Sequence, residues 1–191
     1  DIDAPAAWGT ATGSSSVIVA VLDTGVDSTH PDLAANMWTN PGEIAGNGVD
    51  DDNNGYVDDV YGYDFSDSDS DPSDYDGHGT HCSGTIGAVG DNAVGVAGVN
   101  WNVKIMAIKI FPNAYTDRIV DAIDYAIQMG ATLTSNSWGG GGYSQALRDA
   151  IARAEAAGQM FVAAAGNYAS DNDANPFYPA SYTLDNIVAV A

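Results

Sequence analysis

Three short segments of this chain gather residue types that can work together on one reaction. Asp23-Thr24-Gly25 follows an apolar run directly, Asp76-Gly77-His78-Gly79-Thr80-His81-Cys82 lies in a glycine-rich stretch, and Ala164-Ala165-Gly166-Asn167 closes a second apolar run. A carboxylate can fix the tautomer of an imidazole, the imidazole can deprotonate a nucleophile, and a carboxamide can donate to a developing oxyanion. Singly, each has an ordinary explanation. An Asp after a strand often serves a turn, a His beside glycines is often a loop residue, and Ala-Gly-Asn is often a tight turn. Chemistry requires that the fold bring all three to one edge.

The elements that would position them are legible. Val17–Leu22 is a continuous apolar run rich in β-branched residues, as a strand buried on both faces requires, and similar runs occupy 103–110, 131–135, 160–165 and 187–191. Residues 116–129 carry apolar side chains at 119, 122, 123, 126 and 127 and stop at Gly130. Residues 144–157 open with a capping Ser144, place Leu147, Ala150, Ile151 and Ala154 on one face, and stop at Gly158. Strands alternating with helices predict an α/β fold with a mostly parallel sheet flanked by helices, in one domain. Ligands of such sheets sit beyond the carboxyl ends of the strands, which is where all three segments fall. Residues 40–76 interrupt the alternation with Gly, Asn, Asp, Ser and Tyr, and a loop of that length in a compact domain is functional or tied down.

Taken together and in order, DTGVDSTHPDL (23–33), DGHGTHCSGTI (76–86) and FVAAAGN (161–167) resemble three signature segments of the subtilase family of serine peptidases. The similarity runs from Ile2 to Ala191 and leans towards the thermitase branch. It implies a subtilisin-like three-layer fold, here incomplete, with the chain as the N-terminal and central portion of a peptidase domain. It implies that Asp23 accepts the Nδ1–H of His78, that His78 is general base and acid, and that Asn167 donates to the oxyanion. Ser137, Trp138, Gly139 and Gly140 would form one wall of the pocket for the substrate residue preceding the scissile bond. Ala164, Ala165 and Gly166 would form the other. His30 and His81 have no catalytic task in this reading. The family's nucleophile stands in a Gly-Thr-Ser-Met-Ala segment, and none occurs among the 191 residues. The chain alone is therefore expected to be inactive. Residues 111–116 look short against the edge that binds substrate further from the scissile bond, and Pro112 removes a donor there.

Three acidic loops predict calcium. Asp50, Asp52 and Asn54 occupy positions 1, 3 and 5 of a loop with Gly55 at 6, with the Tyr56 carbonyl next and Asp58 or Asp59 to complete the shell. Asp64, Asp67, Asp69 and Asp71 crowd four carboxylates into eight residues, which disfavours a compact loop without a cation. Resemblance to the same branch makes these four a calcium set. It also assigns the carbonyls of Val89, Val94 and Val96, the Asn92 side chain and the Asp32 carboxylate to a third site.

With 26 acidic and 5 basic residues, the formal net charge is −21. Such a chain repels phosphate backbones and anionic lipid, so nucleic acid and membrane are expected not to be partners. A lone Cys82 excludes an internal disulfide. No basic-then-apolar segment opens the chain, so a secretory signal or pro-segment is expected to be absent from it. The resulting expectation is a secreted, monomeric, calcium-dependent serine endopeptidase acting on proteins and peptides, with an inhibitory pro-segment as a further partner. A degenerate, calcium-dependent peptide-binding module is the alternative, and half of a split enzyme is a third.

Overall fold

The computed structural model describes residues 2–191. After a short helix α1 (Ala4–Trp8), the chain runs through β1 (Gly13–Asp23), β2 (Gly62–Asp64), α2 (His78–Gly87), β3 (Asn102–Lys109), α3 (Thr116–Gln128), β4 (Leu133–Asn136), α4 (Gln145–Ala156), β5 (Met160–Ala164) and β6 (Ile187–Val190). The six strands form one sheet in the order β2-β3-β1-β4-β5-β6, with every pair parallel.

The apolar run of β1 is explained by burial on both faces. Ala20 and Leu22 point into a core shared with Met106 and Ile108 of β3, Ile119 and Ile123 of α3, and Leu147 and Ile151 of α4. Val19 and Val21 point the other way, towards Val103, Ile105, Val26, Leu33 and Met37, with Ile86 of α2 packed against them. Helices thus cover both faces, giving three layers. The helix ends follow their sequence signals. Ser144 accepts a hydrogen bond from the Leu147 N–H at the start of α4, and Gly130 and Gly158 take positive φ just beyond α3 and α4.

The strand order locates the site. From β1 the chain moves to one side for β2 and β3, then crosses to the other side for β4, so the direction of winding reverses at β1. The crevice outside the carboxyl end of that strand is where such sheets bind ligands, and Asp23 is its last residue.

Residues 40–76 hold one element that periodicity could not disclose. β2 has only three residues, paired with Ala107–Lys109 at the edge of the sheet. No helix among the described residues is long and apolar enough to cross a membrane.

Leu22 and Ile123 are fully buried, whereas Ile44 is 64% exposed. Leu22→Ala or Ile123→Ala should cost about 2–5 kcal/mol in denaturant unfolding of this chain. Ile44→Ala should stay within about 0.5 kcal/mol.

Candidate active site

Asp23 and His78 meet. His78 Nδ1 lies 2.6 Å from Asp23 Oδ1, with Asp23 1% exposed and the imidazole half-exposed. The Thr24 N–H donates to the same carboxylate oxygen at 2.7 Å. The Asp23 bond raises the pKa of His78, burial opposes it, and the charges of Asp23, Asp76 and Asp74 add to the rise. With Nδ1 committed to Asp23, Nε2 is the nitrogen left to take and return a proton.

His78 is the first residue of α2, so its place depends on how that helix begins. Gly79 comes so close to β1 that a Cβ there would strike the Gly25 carbonyl. Its N–H donates to Thr24 Oγ1 at 2.9 Å, and that hydroxyl donates in turn to Asp74 Oδ1. Asp74 also receives the N–H groups of Asp76, Gly77 and Thr80 and the Thr80 hydroxyl. Burial works against its charge, but these donors outweigh burial and hold its pKa at about 2. Asp74 and Thr24 thus tie the start of α2 to the end of β1, and neither was singled out in the sequence. The signal was available: an Asp six residues before a helical Thr, across a glycine, is placed to collect the free N–H groups of a first turn.

The two other segments reach the same edge. Val21 pairs with Ser135, and Ser135 with Val162. These pairings end at Val21–Ser135 and Asn136–Ala163, within two residues of Asp23, Ser137 and Ala164, with β1 and β5 about 10 Å apart across β4. Ser137, Gly139 and Gly140 are exposed and Trp138 is half-buried, as are Ala164, Ala165 and Gly166. Asn167 follows as an exposed side chain with no hydrogen bond among the described residues. Cys82, one turn along α2, lies 3.9 Å from His78 Nδ1 and 3.5 Å from Ser137 Oγ. Burial raises its thiol pKa, so it stays protonated near neutrality and is no substitute nucleophile.

This geometry has relatives. The sequence pattern of the Subtilase family matches residues 14–191. The chain belongs to the subtilase family. It is 39% identical to thermitase from Thermoactinomyces vulgaris, over all of this chain and 59% of that protein. It is 37% identical to subtilisin-like protease 1 from Plasmodium vivax, over 91% of this chain and 30% of that one. Among solved structures, fervidolysin from Fervidobacterium pennivorans, described as a keratinolytic enzyme related to subtilisin, superposes with a TM-score of 0.67 at 33% identity. That match covers 92% of this chain and 24% of fervidolysin. The subtilase chain therefore spans between about a quarter and three-fifths of these relatives.

The acidic loops of this subtilase differ from one another. In the first, oxygens of Glu43, Asp52 and Asp59 all lie within 4.8 Å of each other. Glu43 was not anticipated, because it precedes the loop motif. Its carboxylate also receives the N–H groups of Asp51, Asp52 and Asp58. Asp59 is fully buried and accepts from the hydroxyl of Tyr125 at 2.6 Å and from Asn40 and Asn54, while burial raises its pKa. Asp50 binds the backbone of Asn54 and Gly55, and the Tyr56 N–H donates to Asn54 Oδ1. The third loop closes on buried Asp32, which accepts from the Asn92 amide at 2.7 Å and the Val96 N–H at 2.9 Å. The Val89 N–H donates to its carbonyl and the Val94 N–H to Asn92 Oδ1.

The second loop is arranged differently from the first. Asp64, Asp67, Asp69 and Asp71 do not form a cluster of three converging carboxylates among the described residues. Instead, buried Asp64 pairs with the ammonium of Lys109 at 2.8 Å. Asp67 and Asp71 face the same ammonium less closely. Asp69 and Asp71 spend oxygens on backbone N–H groups within the loop. One positive charge thus reaches this loop from β3.

Because the pKa of Asp74 is depressed, its contribution to stability is present above about pH 4 and is lost as pH falls towards 2. Asp74→Asn should destabilise this chain by about 1–2 kcal/mol at pH 6, after allowance for its partial exposure. The gap to the native protein should close between pH 4 and pH 2 in denaturant titrations. A gap that is constant with pH would detach Asp74 from this role.

Proposed function

We propose that this chain supplies the base, its orienting carboxylate, the oxyanion donor and the substrate cleft of a secreted serine endopeptidase. The observation that carries the reading is the 2.6 Å contact between Asp23 and His78 at the winding reversal of a subtilase sheet. In the reaction, His78 Nε2 takes the proton of a serine hydroxyl as its oxygen attacks the peptide carbonyl. Asp23 stabilises the imidazolium without itself becoming protonated. The amide of Asn167 donates to the oxygen that gains charge, and His78 returns the proton to the departing amine. Water then repeats the sequence on the acyl-enzyme. β4 and β5 present Ser137–Gly140 and Ala164–Gly166 to an extended peptide, whose backbone adds beside them. The attacking serine belongs to polypeptide beyond these residues, which form the N-terminal and central portion of the peptidase domain. The 191 residues alone are inactive.

Calcium fits the first and third loops. Three converging carboxylates, one of them fully buried, suit a hard dication that takes six to eight oxygens. Glu43, Asp50, Asp52, Asn54, Asp59 and the Tyr56 carbonyl would hold one ion. Asp32, Asn92 and the carbonyls of Val89, Val94 and Val96 would hold another. The ion's contribution is to offset carboxylate repulsion in the folded state. The Lys109 ammonium fills that need in the second loop.

Two experiments test these statements. In the serine-bearing full-length protein, Asp23→Asn should lower kcat against a peptide substrate by about 10⁴-fold, and Asn167→Ala by about 10²–10³-fold. Losses below tenfold would remove the assignments. In the 191-residue chain, calcium at a hundredfold excess over Kd should stabilise the fold by about 2.7 kcal/mol per site. Glu43→Gln with Asp52→Asn should abolish one share and Asp32→Asn the other, while Asp67→Ala with Asp69→Ala should leave both. A melt that chelator does not move would refute calcium here.

A further inference from the structure

One aromatic side chain has no part in the reaction described above, yet it stands between the two proposed walls of the substrate cleft. The ring of Phe177 presses one edge against Gly139, where an added Cβ would collide with Cε1, Cζ and Cδ1. Its opposite edge lies against Gly166, where an added Cβ would come within 3.4 Å of Cε2 and Cζ, and Cε2 also reaches to 3.9 Å from the same point on Gly140. Both walls lack side chains where the ring touches them, so the gap between them is filled by this one ring. The adjoining cavity of about 600 Å³ is lined by Ala165, Gly166 and Phe177 together with the intervening loop 168–175 and Ala191, and by no residue of 137–140.

The main chain that carries the ring is tied down on either side. The Phe177 N–H donates to Ser181 Oγ at 2.9 Å, and the Ser181 N–H donates to the Phe177 carbonyl at 3.0 Å. The Gly140 N–H donates to the Tyr178 carbonyl at 2.8 Å, stitching this segment to the first wall. Tyr178 is packed in turn against Tyr143 and Tyr182, with ring centroids 5.6 and 4.6 Å away. These ties fix the backbone from which the ring projects, and the ring itself rests against Gly139 and Gly166.

We propose that Phe177 is a specificity-determining residue that closes the floor of the cleft, so that the substrate residue preceding the scissile bond is small: alanine, glycine or serine. This rests on the endopeptidase reading and names the substrate class of that same site. Two glycine-lined walls with nothing between them admit a flat or long apolar side chain. With the chain's own aromatic ring there, a substrate phenylalanine or leucine has to displace it or stay outside. Even one surplus methylene in a closed apolar pocket costs about 10–200-fold in kcat/KM.

The test is hydrolysis by the serine-bearing full-length protein of a peptide series that differs only at that substrate residue, read as kcat/KM. The native protein should favour alanine over phenylalanine and leucine by at least about tenfold. Phe177→Gly and Phe177→Ala, each checked for a thermal midpoint within a few degrees of native, should reverse the preference. Should both variants melt early, the cut sites made by the native protein in a peptide library decide, and cuts chiefly after small residues are expected. Equal hydrolysis after alanine and phenylalanine by the native protein, or an unchanged ratio in a folded variant, would overturn the role of Phe177 and leave the endopeptidase reading standing. Hydrolysis of no peptide in the series or the library would instead overturn that reading, and this inference with it.

Discussion

A carboxylate buried at the end of a strand needs hydrogen-bond donors. Asp23 is 1% exposed, and its donors are the Thr24 N–H and the Nδ1–H of His78. That single need constrains much of the structure. The helix carrying His78 must begin within reach of β1, which requires Gly79 to have no side chain and Thr24 to accept its N–H. Asp74 must then gather the first-turn donors and hold Thr24 from the other side. The parallel sheet brings the segments after β4 and β5 to the same edge as that pair, because its strands run in one direction.

The charge excess acts on the same architecture from outside. At −21, the chain has few cations to spare, and its lysines are put to buried or partly buried use. Lys109 neutralises Asp64, and Lys104 caps the carbonyls of Ala35 and Met37. Arg153 grips Asp124 through two parallel bonds that join α4 to α3. Where no cation reaches, at Glu43, Asp52 and Asp59, carboxylates converge and rely on amide, hydroxyl and backbone donors. That difference in local compensation separates one acidic loop from another.

Much of this was legible in the sequence, for definite reasons. The strands showed because β1 and β3 are buried on both faces, and the helices because α3 and α4 bury one stripe each and stop at glycines. The Asp23 and His78 segments carried their own signatures. What stayed hidden depended on residues distant in the chain. Lys109 lies 45 positions after Asp64, so the local sequence of that loop could not disclose the ion pair. Glu43 sits before the motif it joins, and Phe177 reaches Gly139 from 38 residues away. β2 escaped because three residues cannot display a period.

The central claim is that Asp23 and His78 form one hydrogen-bonded unit in the folded chain, and the titration of His78 followed by NMR tests it most directly. The account predicts a His78 pKa above the ordinary histidine value, falling in Asp23→Asn. Because the folded pKa is the raised one, stability from the pair should be full below about pH 6.5 and fade as pH rises through that higher value. A His78 that titrates at the ordinary value, or whose titration ignores Asp23→Asn, would contradict the account.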